Sequence, residues 1–277
     1  MPEPQAAAAT AGTPPAFVQP SLSAVRWTGL RTIVIREYNR IVRIWGQTLV
    51  PSAVTAILYF VIFGGLIGKR VGQLGGYDYM QYIAPGLIMM SVITNSYGNV
   101  VSSFFGAKFG KHVEELLVSP LPNSIIVTGY VVGGLVRGLM VGLVVTVVSL
   151  IFARIHVQHL ALVIAAVLLT SVVFSLGGFI NAVFAKNFDQ VNFIPAFILT
   201  PLTYFGGVFY SVKMLPPWAQ ALSHVNPILH MVNAFRYGFL GTSDVSVPGA
   251  FAIMIVLAIG LFLTALTLMN RGTGIRD

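Results

Sequence analysis

The sequence predicts an all-α membrane protein. It should have six transmembrane helices, an N-terminal interfacial amphipathic helix, a cytoplasmic amphipathic helix between spans two and three, and a re-entrant helical hairpin before the last span. Three observations predict it. Of 277 residues, 56% are hydrophobic and only 9% charged, which leaves a soluble domain too little polar material for its surface. Six segments come close to the ~20 apolar residues that cross about 30 Å of hydrocarbon: 49–67, 82–103, 125–152, 160–184, 191–210 and 248–269. Between Pro195 and Leu240 an apolar stretch is broken by Pro195, Pro201, Pro216, Pro217 and Pro227, by Gly206-Gly207, and by Asn226, His230, Asn233 and Arg236. Lipid offers no partner to unpaired backbone groups, so broken helix at membrane depth must be buried in protein or line an aqueous cavity. A transport pathway is the reading that follows.

Residues 1–22 are rich in Ala and Pro, with Glu3 the only charge, and predict a disordered lead-in. They lack the basic start and continuous apolar core of a signal peptide. Residues 23–46 predict a helix with Trp27, Leu30, Val34, Tyr38, Ile41 and Trp45 on one face. Arg36, Arg40 and Arg43 lie on the other, with Glu37 beside them. Such a helix suits the headgroup plane; the plain alternative is an elongation of the first span.

An even number of spans puts both termini on one side. If that side is the cytoplasm, the inner segments hold ten basic residues: Arg26, Arg31, Arg36, Arg40, Arg43, Lys108, Lys111, Lys186, Arg271 and Arg276. The outer ones hold five: Lys69, Arg70, Arg154, Lys213 and Arg236. Ten against five favours cytoplasmic termini. This topological role accounts for the excess of 16 Lys+Arg over 8 Asp+Glu. No basic stripe with interleaved aromatics stands clear of the spans, so nucleic acid is not a partner. Cysteine is absent, which excludes disulfides and thiolate metal sites.

The loop after the second span predicts a short helix over Phe104–Val118, closed by Pro120 and Pro122. Phe105, Phe109, Val113 and Leu116/Leu117 share one face; Lys108, Lys111 and Glu115 share the other, with Glu114 adjoining. A plain connector needs only about 2–8 residues, so this length and its apolar stripe predict a docking surface for a cytoplasmic partner. In the third span Gly134, Gly138 and Gly142 repeat every four residues, the spacing that lets helices approach closely. The neighbour can be another span or a second subunit. Arg137, inside the same span, is either a pathway or interface residue or a snorkelling cation. Tyr204, Phe205, Phe209, Tyr210 and Trp218, with Met214 and Met231, would suit an amphiphilic or aromatic cargo, although aromatics also belt membrane interfaces generally.

Catalytic chemistry is missing. The run Gly64-Gly65-Leu66-Ile67-Gly68-Lys69-Arg70 has the wrong glycine spacing for a P-loop, and Arg70 stands where Ser or Thr must hold magnesium. The chain cannot hydrolyse ATP alone. None of its eight acidic residues falls within an apolar span, which argues against a stand-alone secondary carrier. His156 and His159, and His224 and His230, have no acidic neighbours at ligand spacing, and no Gly-x-Ser-x-Gly elbow occurs. No metal site, catalytic residue or membrane enzyme is predicted. A transport body without an engine implies an engine on another chain.

Three blocks carry a family resemblance: REYNRIVRIWGQTLVP (36–51), APGLIMMSVITNSYGNVVSSFFGAKFGKHVEELLVSPLP (84–122) and LTPLTYFGGVFYSVKMLPPWAQALSHVNPILHMVNAFRYGFLG (199–241). Over residues 25–275 the chain resembles the permease subunits of type-2 ABC exporters, the group that includes drug, antibiotic and polysaccharide exporters. The resemblance implies a type-2 ABC transmembrane domain over 47–275, forming the pathway as a homodimer in a bacterial plasma membrane, the inner membrane if Gram-negative. Two ABC ATPase subunits, which bind ATP and Mg, would dock beneath, and this chain would hold no cofactor. Phe104–Val118 would be the coupling helix, Arg36–Trp45 would lie at the cytoplasmic face and touch the same partner, and the region around Leu215–Phe239 would close the outer end.

Overall fold

The structure, a computed structural model, describes residues 21–274; the expected lead-in lies outside them up to residue 20. Helix α1 (Leu22–Arg43) starts at Ser21, whose hydroxyl accepts from Ala24 N at 3.3 Å. A kink at Ile44 leads into α2 (Trp45–Tyr59), which continues through wider π-type turns over Phe60–Ile67 and a last turn, α3 (Gly68–Val71). A small hairpin follows, with β1 (Gln73–Leu74) antiparallel to β2 (Tyr77–Asp78). Its two-residue turn is Gly75-Gly76, with φ of 59° and 86°, the left-handed pair such a turn demands.

Helix α4 (Tyr79–Phe109) is the central column, packed along α6 (Asn123–Phe152) and α7 (Leu160–Phe184). Short α5 (His112–Val118) hangs from its far end. After α7 come α8 (Phe188–Ile194), π-type turns over Pro195–Leu199 and α9 (Thr200–Tyr204). The chain then bends at Gly207 (φ 69°) and passes a 3-10 turn before α10 (Pro217–Val225) and α11 (Pro227–Leu240), and ends in α12 (Val247–Arg271). The π turns have a local cause. Pro195 has no N–H to donate, and its carbonyl is taken by Thr200 N and by Thr200 Oγ1 at 2.9 Å.

Among the described residues, four helices are long and apolar enough to cross a membrane: Trp45–Gly65, Asn123–Phe152, Leu160–Phe184 and Val247–Arg271. The other two expected spans differ. Segment 82–103 belongs to α4, which is long enough but carries Ser91, Thr94, Asn95, Ser96, Asn99, Ser102 and Ser103. A helix enclosed by other helices need not match lipid in apolarity. Segment 191–210 is helical only as far as Tyr204, because two glycines turn the chain there. The segment that follows does double back. Asn226, between α10 and α11, donates to Leu202 O at 2.6 Å, and α11 returns so that Gly238 O accepts from Gln158 N and His159 N.

Glycines set the interhelical distances. A Cβ at Gly138 would collide with Ser96 Oγ of α4 and lie 3.0 Å from Ser171 Oγ of α7. One at Gly134 would meet Val100 and Ser175, and one at Gly142 would meet Val92 at 2.8 Å. The glycine ladder therefore faces α4 and α7 of its own chain. A Cβ at Gly178 would approach the Tyr97 backbone carbonyl to 2.5 Å, a contact no rotamer change relieves. Phe104, 4.2 Å from Phe179 and 5.2 Å from Tyr130 between ring centroids, fills the space below. Gly138→Leu and Gly178→Ala are each expected to cost about 1–3 kcal/mol or more through overpacking, read as a lowered Tm in detergent. Unchanged melting of both would contradict this packing.

Candidate functional site

The α4–α5 corner gathers most of the expected docking residues, but not as one continuous helix. Gly110 ends α4, and Lys111 adopts a left-handed conformation (φ 58°) before α5 begins. The break splits the expected stripe. Phe105 and Val113 turn inward, with Val113 only 3% exposed, whereas Phe109 is 64% exposed. Phe105 and Phe109 pack on Phe188 at 5.1 and 5.3 Å. Lys108 Nζ donates to Val183 O (2.6 Å) and Ala185 O (2.9 Å), so a cation closes the carbonyl end of α7. Lys111, Glu114 and Glu115 are exposed. A cleft of about 350 Å³ opens between Phe109, Lys108, Lys111, Glu114 and Lys186.

Helix α1 departs from the expected orientation. Its aromatic residues Trp27 and Tyr38, and Trp45 just beyond the kink, are exposed, while Ile33, Glu37 and Ile41 are buried. Ile33 lies against Gly129 and Glu37 against Gly133, so α1 and α6 advance together, four residues at a time. Glu37 was expected on the cytoplasmic surface; it is 1% exposed, about 15 Å along α6 from its start at 1.5 Å per residue. Its carboxylate accepts from Ser103 Oγ at 2.6 Å and Arg40 at 2.9 Å, with Arg36 at 3.6 Å. Arg40 also donates to Asn99 Oδ1 (2.7 Å), and Arg36 to Tyr130 OH (2.6 Å). Arg43 stays exposed and joins none of these bonds. Arg137, one turn beyond Gly133, is half-buried. Asn99, Ser103 and Tyr130 were missed, although polar side chains within apolar spans are themselves a signal.

A second buried cation sits at the hairpin end. Arg236 is 1% exposed and donates to Gly207 O (2.6 Å) and Tyr82 OH (3.1 Å), with its guanidinium 4.0 Å from the Tyr82 ring centroid. Asp244 accepts from Ser211 Oγ and Val212 N, and its own N–H donates to Asn233 Oδ1 at 2.9 Å. A cavity of about 630 Å³ opens beside these groups. Phe209 is buried and stacks on Phe63 at 4.6 Å; Tyr204 and Phe205 are exposed, with Tyr204 OH 3.4 Å from Tyr59 OH. Between α2 and α4 an uncharged polar strip of Ser52, Thr55, Ser91, Thr94 and Asn95 borders a hollow of about 190 Å³.

The chain is thus an apolar helical bundle with a short helix turned under its central column and a helical pair, α10 and α11, before its last helix. Residues 28–240 match the family described as ABC-2 type transporter, and the chain belongs to that family. It is a type-2 ABC permease subunit. It is 53% identical over 251 residues to "Inner membrane transport permease YadH" of Escherichia coli (strain K12), an alignment covering 91% of this chain and 98% of the relative. It is 26% identical over 259 residues to "Nodulation protein J" of Rhizobium leguminosarum bv. trifolii, covering 91% and 97%. The same-named protein of Neorhizobium galegae is 24% identical over 228 residues, covering 81% and 86%.

Two substitutions test these cation contacts. Glu37→Gln leaves the part-exposed Arg36 and Arg40 without their counter-charge and is expected to cost about 1–3 kcal/mol, seen as a lower Tm. Arg236→Met strands the Gly207 carbonyl and is expected to cost about 1–3 kcal/mol in the same measurement. Wild-type melting would remove the stabilising role of either residue.

Proposed function

We propose that two copies of this chain form the pathway of an ATP-driven exporter, with two separate ATPase subunits binding ATP and Mg and docking beneath. The α4–α5 corner is the observation that carries this reading. It hangs from the most enclosed helix of the bundle, is tied to α7 through Lys108, and presents Phe109 with exposed charges on both sides. A push on such a corner is transmitted to α4 as a rigid body, which a two-state power stroke requires. No P-loop occurs in the sequence, so the force must come from another chain.

Four apolar helices, the enclosed α4 and the broken α8–α9 segment together supply six crossings with both termini in the cytoplasm, as the basic-residue count favours. A bacterial inner membrane is supported by the 53% identical relative, which is named an inner membrane transport permease. A second copy would cover the strip Ser52, Thr55, Ser91, Thr94 and Asn95, whose polar groups are unusual on a lipid-facing surface even though Ser52, Thr94 and Asn95 bond within the chain. Export of an amphiphilic or aromatic cargo fits Tyr204 and Phe205 at the exposed edge of that region.

A stand-alone carrier would need a coupling carboxylate. Glu37 enters the bundle, but Ser103, Arg36 and Arg40 surround it and leave no open coordination for an ion.

Co-purified with its ATPase, the wild-type chain is expected to support cargo-stimulated ATP hydrolysis. Phe109→Asp is expected to lower that stimulation about tenfold, a loss of roughly 1.4 kcal/mol at the docking contact, without lowering Tm. Val113→Asp instead buries a charge under the corner and is expected to lower Tm itself. Full stimulation with Phe109→Asp would sink the docking assignment; uphill transport by the chain alone would sink the reading as a whole.

A further inference from the structure

The polar cluster where α1, α4 and α6 meet is unbalanced. Two guanidinium groups, Arg36 and Arg40, share one carboxylate, Glu37, and a third, Arg137, adds a further cation from α6. Glu37 lies against Gly133, and Arg40 and Arg137 follow them by about one turn on helices that advance together, so the two like charges are neighbours. Three buried nitrogen donors there have no acceptor: Arg40 Nε, Arg137 Nε and Asn99 Nδ2. Buried donors are almost always satisfied, and a charge excess in a membrane bundle is costly unless a counter-charge is supplied. Both excess and unmet donors ask for an oxyanion. Arg137 and Arg40 are only half-buried, so the cluster is reachable from outside the bundle. The exposed Tyr38 lies beside Glu37 on α1, a residue type that settles at headgroup level.

We propose that this cluster binds the headgroup of an anionic phospholipid from the leaflet on the α5 side of the bundle. The phosphate oxygens accept from Arg137 and Arg40, the acyl chains lie along the apolar outer face of α6 at Leu139 and Leu143, and the lipid clamps α1 to α6. The leaflet assignment rests on the proposed topology; the binding does not.

The test uses the purified chain in neutral detergent without any ATPase, so its failure is separate from failure of the exporter reading. Phosphatidylglycerol, phosphatidylcholine with the same acyl chains, and inorganic phosphate are titrated against Tm. Phosphatidylglycerol is expected to raise Tm by several degrees and the other two to leave it nearly unchanged. Arg137→Gln is expected to weaken the phosphatidylglycerol effect about tenfold, while Arg137→Lys retains most of it. Arg36→Gln, at the exposed rim, gives a second background if Arg137→Gln fails to fold, and is expected to weaken the effect in the same direction. Equal stabilisation by phosphatidylcholine or by inorganic phosphate would overturn the proposal. So would undiminished phosphatidylglycerol binding by Arg137→Gln, or by Arg36→Gln where that background is used; a counter-charge supplied by a protein partner predicts that result.

Discussion

The enclosure of α4 is the constraint on which the rest of the molecule depends. The face of α4 packed by α6, α7 and α11 is shielded from lipid, so it can carry Ser96, Asn99 and Ser103 where a lipid-facing surface could not. Enclosure demands close neighbours, and close neighbours demand glycine. Gly134, Gly138 and Gly178 are where α6 and α7 give up side chains to let α4 in. The polar residues that enclosure permits are then the ones that reach Arg40 and Glu37 and hold α1 in place.

The apolar runs were legible in the sequence because they are local and nothing interrupts them. Segment 160–184 matches α7 at both ends, and 125–152 falls two residues short of α6 at its start. The glycine ladder was legible as a contact, but its neighbour was not, since small-residue spacing says only that something approaches. Helix α1 was legible as an amphipathic helix, yet the face it buries was not. That face is chosen by Glu37 meeting Ser103 and by Arg36 meeting Tyr130, pairs separated by 66 and 94 residues. No local periodicity encodes such a choice. At the corner the expected single helix fails at Gly110, a signal present in the sequence but outweighed by the regular recurrence of Phe105, Phe109 and Val113.

Broken helix and buried cation belong together at the hairpin end. The glycine turn after α9 leaves the Gly207 and Val208 carbonyls without helical partners, and Arg236 of α11 supplies the missing donors at 2.6 and 3.4 Å. A guanidinium suits this task better than an ammonium, because its planar fork reaches two carbonyls and the Tyr82 ring at once. The glycine turn that interrupts this region therefore creates a need that a single residue of α11 meets. The irregular stretch is held by specific bonds and not merely tolerated.

Both ends converge on one element. Tyr82, which contacts Arg236, and Lys108, which closes α7, lie on the same unbroken helix, 26 residues apart, or roughly 40 Å at 1.5 Å per residue. With the proposed ATPase docked at Phe109, a displacement there would be carried along packed α4 to its neighbours. The firmest attachments are the glycine contacts at mid-height, where Gly138 and Gly178 leave no slack against Ser96 and the Tyr97 carbonyl. The softest are the π-type turns of Phe60–Ile67 and Pro195–Leu199, whose hydrogen-bond ladders are already loosened. A rigid centre flanked by two softened helices is the distribution of stiffness that turns a push at one end into a rearrangement at the other, and here it is fixed by where glycine, proline and buried charge fall in the chain.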